Sequence, residues 1–246
     1  MAISATQTVR ELATAVPNAT RVFENLGIDY CCGGGKSLAD ACAQAKLSLS
    51  DVLQSLEQGG NNALPAAGEQ PGFAEATLGE LVSHIVSTHH SYVKQEIPRI
   101  QKLLSRVVAV HGRNHIELLE IQQVFAGLAA ELTSHMMKEE MVLFPYVVQV
   151  EEATQSRRHA PRAPFGTVSN PVQMMEMEHE SAGQALRKLQ SLTSNYTAPA
   201  DGCFTYNTVF TAMKDFEADL HQHIHLENNL LFPRAIAMEI ALQQTA

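Results

Sequence analysis

Beyond residue 72, apolar side chains recur every three or four positions with few breaks, the spacing of one buried helix face. Four long helices are predicted, over about 77–110, 114–150, 171–196 and 204–241. His111-Gly112-Arg113 joins the first pair, residues 197–202 join the second, and a long 151–170 stretch containing Arg157-Arg158-His159 crosses between the pairs. Short first and third connections make each pair antiparallel. The pattern therefore predicts an all-α protein with an up-down-up-down four-helix bundle, and no alternating run competes for a strand.

Residues 58–72 break the periodicity with Gly, Pro and Asn and read as a linker. They divide the chain into a helical module over 1–57 and a bundle over 73–246. Within the module, Thr8, Asn18 and Ser37 stand where helix caps are expected, ahead of Val9–Ala15, Ala19–Leu26 and Leu38–Lys46. Ser48 or Ser50 precedes a fourth helix over Asp51–Gln58. A module this small is marginal by itself.

The second and fourth bundle helices carry one phrase twice. His135-Met136-Met137-Lys138-Glu139 runs on to Leu143-Phe144-Pro145, and His223-Ile224-His225-Leu226-Glu227 runs on to Leu231-Phe232-Pro233. Residues four apart share a helix face, so each phrase aims an imidazole and a carboxylate at one point.

Position along the hairpins sorts the eleven histidines. His90 lies 22 residues before Gly112 and His135 lies 23 after it; His179 and His223 lie 22 before and after Asp201. All four fall at one depth, ~33 Å from the turns at 1.5 Å per residue. From His90 the inward offsets are Val93, Ile97, Ile100 and Leu104; from His179 they are Ala182, Leu186 and Leu189. From His89 the same offsets meet Tyr92, Glu96, Arg99 and Leu103, a mostly wet face, which makes His89 a solvated or supporting residue. His111 is expected to be exposed at a helix C-terminus, His84 to face elsewhere, and His221 and His225 to point outward; His115 and His159 belong to a turn and the long loop. Four inward histidines and two inward glutamates at one level are costly unless they bind metal.

His90, His135, Glu139, His179, His223 and Glu227 are thus the candidate ligands of a two-metal site. An all-nitrogen-and-oxygen set suits iron or manganese, with bridging glutamates and positions left open, and disfavours structural zinc. The neighbours Glu140 and Glu178 either tune the site, line an access route, or are ordinary solvated carboxylates.

A formal charge of −9 argues against a nucleic-acid surface or docking on an anionic membrane. No apolar run is long enough to span a bilayer. The N-terminus shows no secretory pattern, and four cysteines in this context point to a reducing compartment, the cytoplasm.

The histidine and H-x-x-x-E layout resembles the hemerythrin-like (HHE) four-helix bundles. With Asp29-Tyr30-Cys31-Cys32-Gly33-Gly34-Gly35 and Leu226-Glu227-Asn228-Asn229, nearly the whole chain resembles the iron–sulfur cluster repair di-iron proteins of the YtfE/ScdA type. The resemblance implies two non-haem iron ions on the six candidate ligands, carboxylate- and oxo-bridged, and a role in restoring clusters damaged by nitric oxide or oxidants. Its partners would be damaged or apo iron–sulfur proteins, with nitric oxide or dioxygen as small ligands; a homodimer is compatible with it. The alternatives are an enzyme reducing nitric oxide, dioxygen or peroxide at the same centre, and a non-redox oxygen- or metal-binding bundle.

Cys31 and Cys32 are adjacent, a strained arrangement for a disulfide, and read as thiols on a loop whose glycines permit unusual backbone angles; the resemblance implies that they serve redox or iron transfer. No catalytic residue is otherwise assigned, and Cys42 and Cys203 read as buried structural cysteines. Replacing both loop cysteines (Cys31→Ser with Cys32→Ser) is expected to change iron release or redox response; release kinetics unchanged by the pair would remove that role.

Overall fold

The computed structural model describes residues 3–31, 33–61, 73 and 75–244. Contacts gather the chain into two compact units, Met1–Thr77 with Ile224–Arg234, and Leu78–His223 with Ala235–Ala246. The expected linker lies largely outside the described residues, as does Cys32.

The first unit begins with α1 (Val9–Ala15), α2 (Ala19–Leu26), α3 (Leu38–Ala45) and α4 (Leu49–Asn61). Thr8 caps α1 in a reciprocal capping box with Glu11, and the Ser37 hydroxyl accepts from Asp40 N–H at the start of α3. Asn18 does not cap: it takes a left-handed φ of 61° and makes no side-chain cap bond. Leu12, Phe23, Leu38, Val52 and Leu56 close the core between the helices.

The predicted long helices are present, and three of them contain a wider π turn. The first leg is α5 (Leu78–His84), a π turn (Ile85–His90) and α6 (Ser91–His111); the second is α7 (Glu117–Lys138), a π turn (Glu139–Leu143) and α8 (Phe144–Gln155). Then come α9 (Ser169–Leu192) and the fourth leg of α10 (Phe204–Leu226), a π turn (Glu227–Leu231) and α11 (Phe232–Gln244). Among the described residues there is no strand, and no helix is long and apolar enough to cross a membrane. The predicted third helix stops at Leu192 rather than Tyr196, because Ser194, Asn195 and Tyr196 all turn left-handed. The Thr193 hydroxyl accepts from Tyr196 N–H at 2.9 Å and offsets part of that cost. In the bundle core, Phe125 and Phe216 meet edge to face, with centroids 5.6 Å apart.

Two buried carboxylates hold the other ends of the hairpins. Glu151 lies on α8, not in the loop expected there, and accepts from Leu78 N–H (2.8 Å) and Gly79 N–H (2.9 Å) at the start of α5. Glu239 on α11 accepts from Val168 N–H (3.0 Å) at the start of α9 and from the Tyr146 hydroxyl (2.5 Å). Each satisfies amides that a helix N-terminus leaves open. Both stand twelve residues beyond the glutamate of their copy of the repeated phrase. The duplication therefore extends past the phrase to the cap. Glu239→Ala strands the buried Val168 amide and leaves the Tyr146 hydroxyl only the Pro161 carbonyl at 3.2 Å, so urea denaturation should show a stability loss of about 1–3 kcal/mol; a loss within ~0.5 kcal/mol, typical of a surface site, would refute the cap.

Candidate metal centre

The tail of the repeated phrase shapes the helix that presents its glutamate. Pro145 and Pro233 have no N–H to give the carbonyl four residues back, and their rings crowd it. The helix widens instead: Phe144 N–H donates to Glu139 C=O, and Phe232 N–H to Glu227 C=O, five residues apart. Each π turn begins at the glutamate itself.

The structure brings the six candidate residues together. Ligand atoms of His90, Glu139, His223 and Glu227 lie within 4.8 Å of one another, as do those of His135, Glu139, His179 and Glu227. Both carboxylates belong to both groups, and all six residues are buried. His90 Nε2 lies 3.1 Å from His223 Nε2, and His179 Nε2 lies 3.1 Å from His135 Nε2. The two oxygens of Glu139 divide between the groups, Oε2 at 3.4 Å from His90 Nε2 and Oε1 at 3.2 Å from His135 Nε2.

A second ring of carboxylates sets the tautomers. His90 Nδ1 meets Glu140 Oε1 at 2.7 Å, and His135 Nδ1 meets Glu178 Oε2 at 2.9 Å. An ionised carboxylate only accepts, so each Nδ1 carries the hydrogen and each Nε2 presents a lone pair to the centre. Those lone pairs face the Glu139 oxygens, which are buried and accept no hydrogen bond. Acceptors facing acceptors in a dry pocket fit a cation between them. Among the described residues no thiol joins these groups, so the donor set fits iron or manganese.

Glu140 also binds Lys94 Nζ (2.6 Å), and Glu178 binds Lys138. Burial would push both carboxyls up, but the lysine and histidine partners outweigh it and hold them below the ordinary carboxylate range. Of the roles left open for this pair, orienting the histidines is the one the contacts show.

Histidines outside the six depart from expectation more often. His89 takes the supporting place of its two expected readings rather than the solvated one: its Nδ1 meets Asp219 at 2.9 Å, and its ring lies parallel to His223, with centroids 5.7 Å apart. His84, placed elsewhere by α-helical counting, reaches His89 at 5.5 Å across the π turn, where residues five apart align. His225 points away from the centre but into protein, at 5.3 Å from the Tyr30 ring, and burial with nearby Arg10 lowers its pKa to about 4. His111 is half-buried against Tyr206 rather than exposed.

The thiol loop belongs to the first unit. Cys31 is buried, and its Sγ lies 3.4 Å from Asp29 Oδ1, which also accepts from Cys31 and Gly33 N–H. None of Gly33, Gly34 and Gly35 has a positive φ; Gly33 and Gly34 serve space, while a Cβ on Gly35 would meet nothing. A Cβ on Gly34 would sit 2.9 Å from Tyr30 C=O and 3.0 Å from Asn229 Oδ1. Cys42 is a core residue as expected, whereas Cys203 is exposed at the start of α10. Asn228 and Asn229 hold this loop, a role that only the fold shows.

Comparison with known proteins agrees with this geometry. The family described as hemerythrin HHE cation binding domain matches residues 81–235, and a second, described as a domain of unknown function (DUF542), matches residues 5–59. The chain is 34% identical to the iron–sulfur cluster repair protein YtfE of Dickeya chrysanthemi, over 95% of this chain and 98% of that one. It is 33% identical to the protein of that name from Escherichia coli O81, with the same coverage. It is also 33% identical to a probable iron–sulfur cluster repair protein of Haemophilus influenzae, over 94% and 97%.

Replacing Glu140 by Gln should weaken metal retention about 10–100-fold in chelator competition, with the helical content unchanged; undiminished affinity would show that the His90–Glu140 bond is incidental. Because the Glu140 and Glu178 pKa values are lowered, the charged pairs stabilise the fold above the unfolded carboxylate pKa, and that contribution fades as pH falls through the folded values.

Proposed function

The chain belongs to the iron–sulfur cluster repair family with a hemerythrin HHE cation-binding domain, and from that premise we propose that it restores damaged clusters by giving up iron from a two-iron centre. In this reading His90 and His223 would hold one ion and His135 and His179 the other, with Glu139 and Glu227 available to both. The observation that carries it is the Glu139 carboxylate, buried without a donor and divided between two imidazole groups. Iron–sulfur clusters are held by thiolates, so transfer to an apo client would exchange nitrogen and oxygen ligands for sulfur. Iron held this way also supplies open positions for nitric oxide or dioxygen.

The chain's own residues set the terms of release. Glu140 and Glu178 fix the tautomers of His90 and His135, and Lys94 and Lys138 balance those carboxylates from the half-exposed side. Two domains, 1–57 and 73–246, would be joined by the 58–72 linker, with the thiol loop on the first. Among the described residues, Cys31, Cys42 and Cys203 form no disulfide with one another, which accords with a cytoplasmic setting.

Anaerobic incubation of the iron-loaded chain with apo-ferredoxin, inorganic sulfide, a chemical reductant and nitric oxide tests the reading. Iron should leave this chain and appear in the ferredoxin cluster, with Glu139→Ala unable to load or donate. Repeated conversion of nitric oxide with the iron retained would identify an enzyme instead. A purified chain holding about one zinc and no iron would overturn the iron centre altogether.

A further inference from the structure

The two copies of the repeated phrase part company just after their glutamates. The first continues Glu139-Glu140-Met141 and the second Glu227-Asn228-Asn229, although both pass through a π turn of the same five-residue span. Met141 is 73% exposed, while its counterpart Asn229 is 6% exposed. Four residues earlier the contrast repeats, with Met137 at 60% and His225 at 5%. What covers the second copy is the Tyr30–Cys31 loop.

The grip on that loop is made of hydrogen bonds to backbone. Asn228 Nδ2 donates to Cys31 C=O at 3.2 Å, and Asn229 Nδ2 donates to Tyr30 C=O at 2.8 Å. Asn229 is itself fixed on two more sides: its Nδ2 meets His225 Nδ1 at 2.7 Å, and its Oδ1 accepts from Arg10 Nε at 2.7 Å. Gly34 lacks room for a Cβ against this same amide, so loop and asparagine are shaped to each other. Gripping carbonyls leaves the Cys31 thiol outside the latch, on Asp29.

We propose that Asn228 and Asn229 are positioning residues that tie the Cys31 loop to the carboxylate of Glu227, so that metal on Glu227 tightens the loop and metal loss releases it. The proposal rests on Glu227 being a metal ligand. Glu227, Asn228 and Asn229 are successive residues of one π turn, and Glu227 is wholly buried. A cation on the carboxylate pins the turn at its first residue. Removing the cation leaves a buried negative charge that favours rearrangement, and hydrogen bonds one and two residues along weaken steeply as their geometry slips. By linkage the effect is reciprocal, so a seated loop also favours metal retention.

The test is alkylation of the full-length chain by iodoacetamide, iron(II)-loaded anaerobically or stripped by chelator, with each cysteine quantified by peptide mass spectrometry and iron measured in parallel. Cys203 is the exposed reference and Cys42, in the core, reports unfolding. Cys31 should react on the order of 10-fold more slowly in the loaded chain, within the usual range of coupling between sites. The double substitution Asn228→Ala with Asn229→Ala should bring the loaded rate up to the stripped rate while iron still binds. Equal Cys31 rates in the loaded and stripped native chain overturn the latch, as does a difference that survives the double substitution. Failure of the native chain to take up iron instead defeats the metal reading, and the iron analysis separates the two. If the double variant unfolds, Cys42 becomes reactive, and the native comparison alone decides.

Discussion

The interior of the bundle is organised around acceptors that face one another. Glu139 is fully buried, accepts no hydrogen bond, and directs its two oxygens at the nitrogens of two different histidines. Those nitrogens are lone pairs because the far side of each ring is committed to Glu140 or Glu178. A bare arrangement of this kind is electrostatically unfavourable, and a cation at its middle turns every repulsion into a bond. The depth of the histidines, the carboxylates behind them and the lysines outside all answer to that requirement.

Duplication meets the requirement twice and then departs from itself. Leu-Phe-Pro ends each phrase with a residue that cannot close an α-turn, and the helix opens into a π turn at the glutamate. Twelve residues on, Glu151 and Glu239 each cap the opposite leg of their own hairpin. Between these shared features the copies serve different ends. One exposes methionines, and the other carries the asparagines and the histidine that seat the thiol loop. The repeated parts gather the candidate ligands; the unrepeated parts hold the thiol loop.

Much of this was legible in the chain because helical period is a local property. The legs, the short turns and the six inward residues follow from counting in steps of 3.6 and from equal distances to Gly112 and Asp201. Counting failed where the period changed. His84 meets His89 because a π turn lies between them, and no α-helical wheel contains that turn. Glu151 looked like loop because the residues beyond it lose apolar spacing, yet its carboxylate is spent on two amides more than 70 residues away in sequence. His225 faced away from the ligands as expected, but polarity alone could not tell solvent from the Tyr30 loop.

Sequence by itself determined which residues are metal ligands in prospect, how many helices present them and that the presentation is duplicated, since each depends on spacing within one helix or one hairpin. Tertiary structure decided everything that needs two distant segments in contact. It assigned Glu140 to His90 and Glu178 to His135, set His89 on Asp219, and gave Asn228 and Asn229 the carbonyls of the thiol loop. Hydrogen bonds act over about 3 Å and carry no mark in the primary structure. A carboxylate that orients a ligand and one that merely faces water are the same letter until the fold brings the partner near.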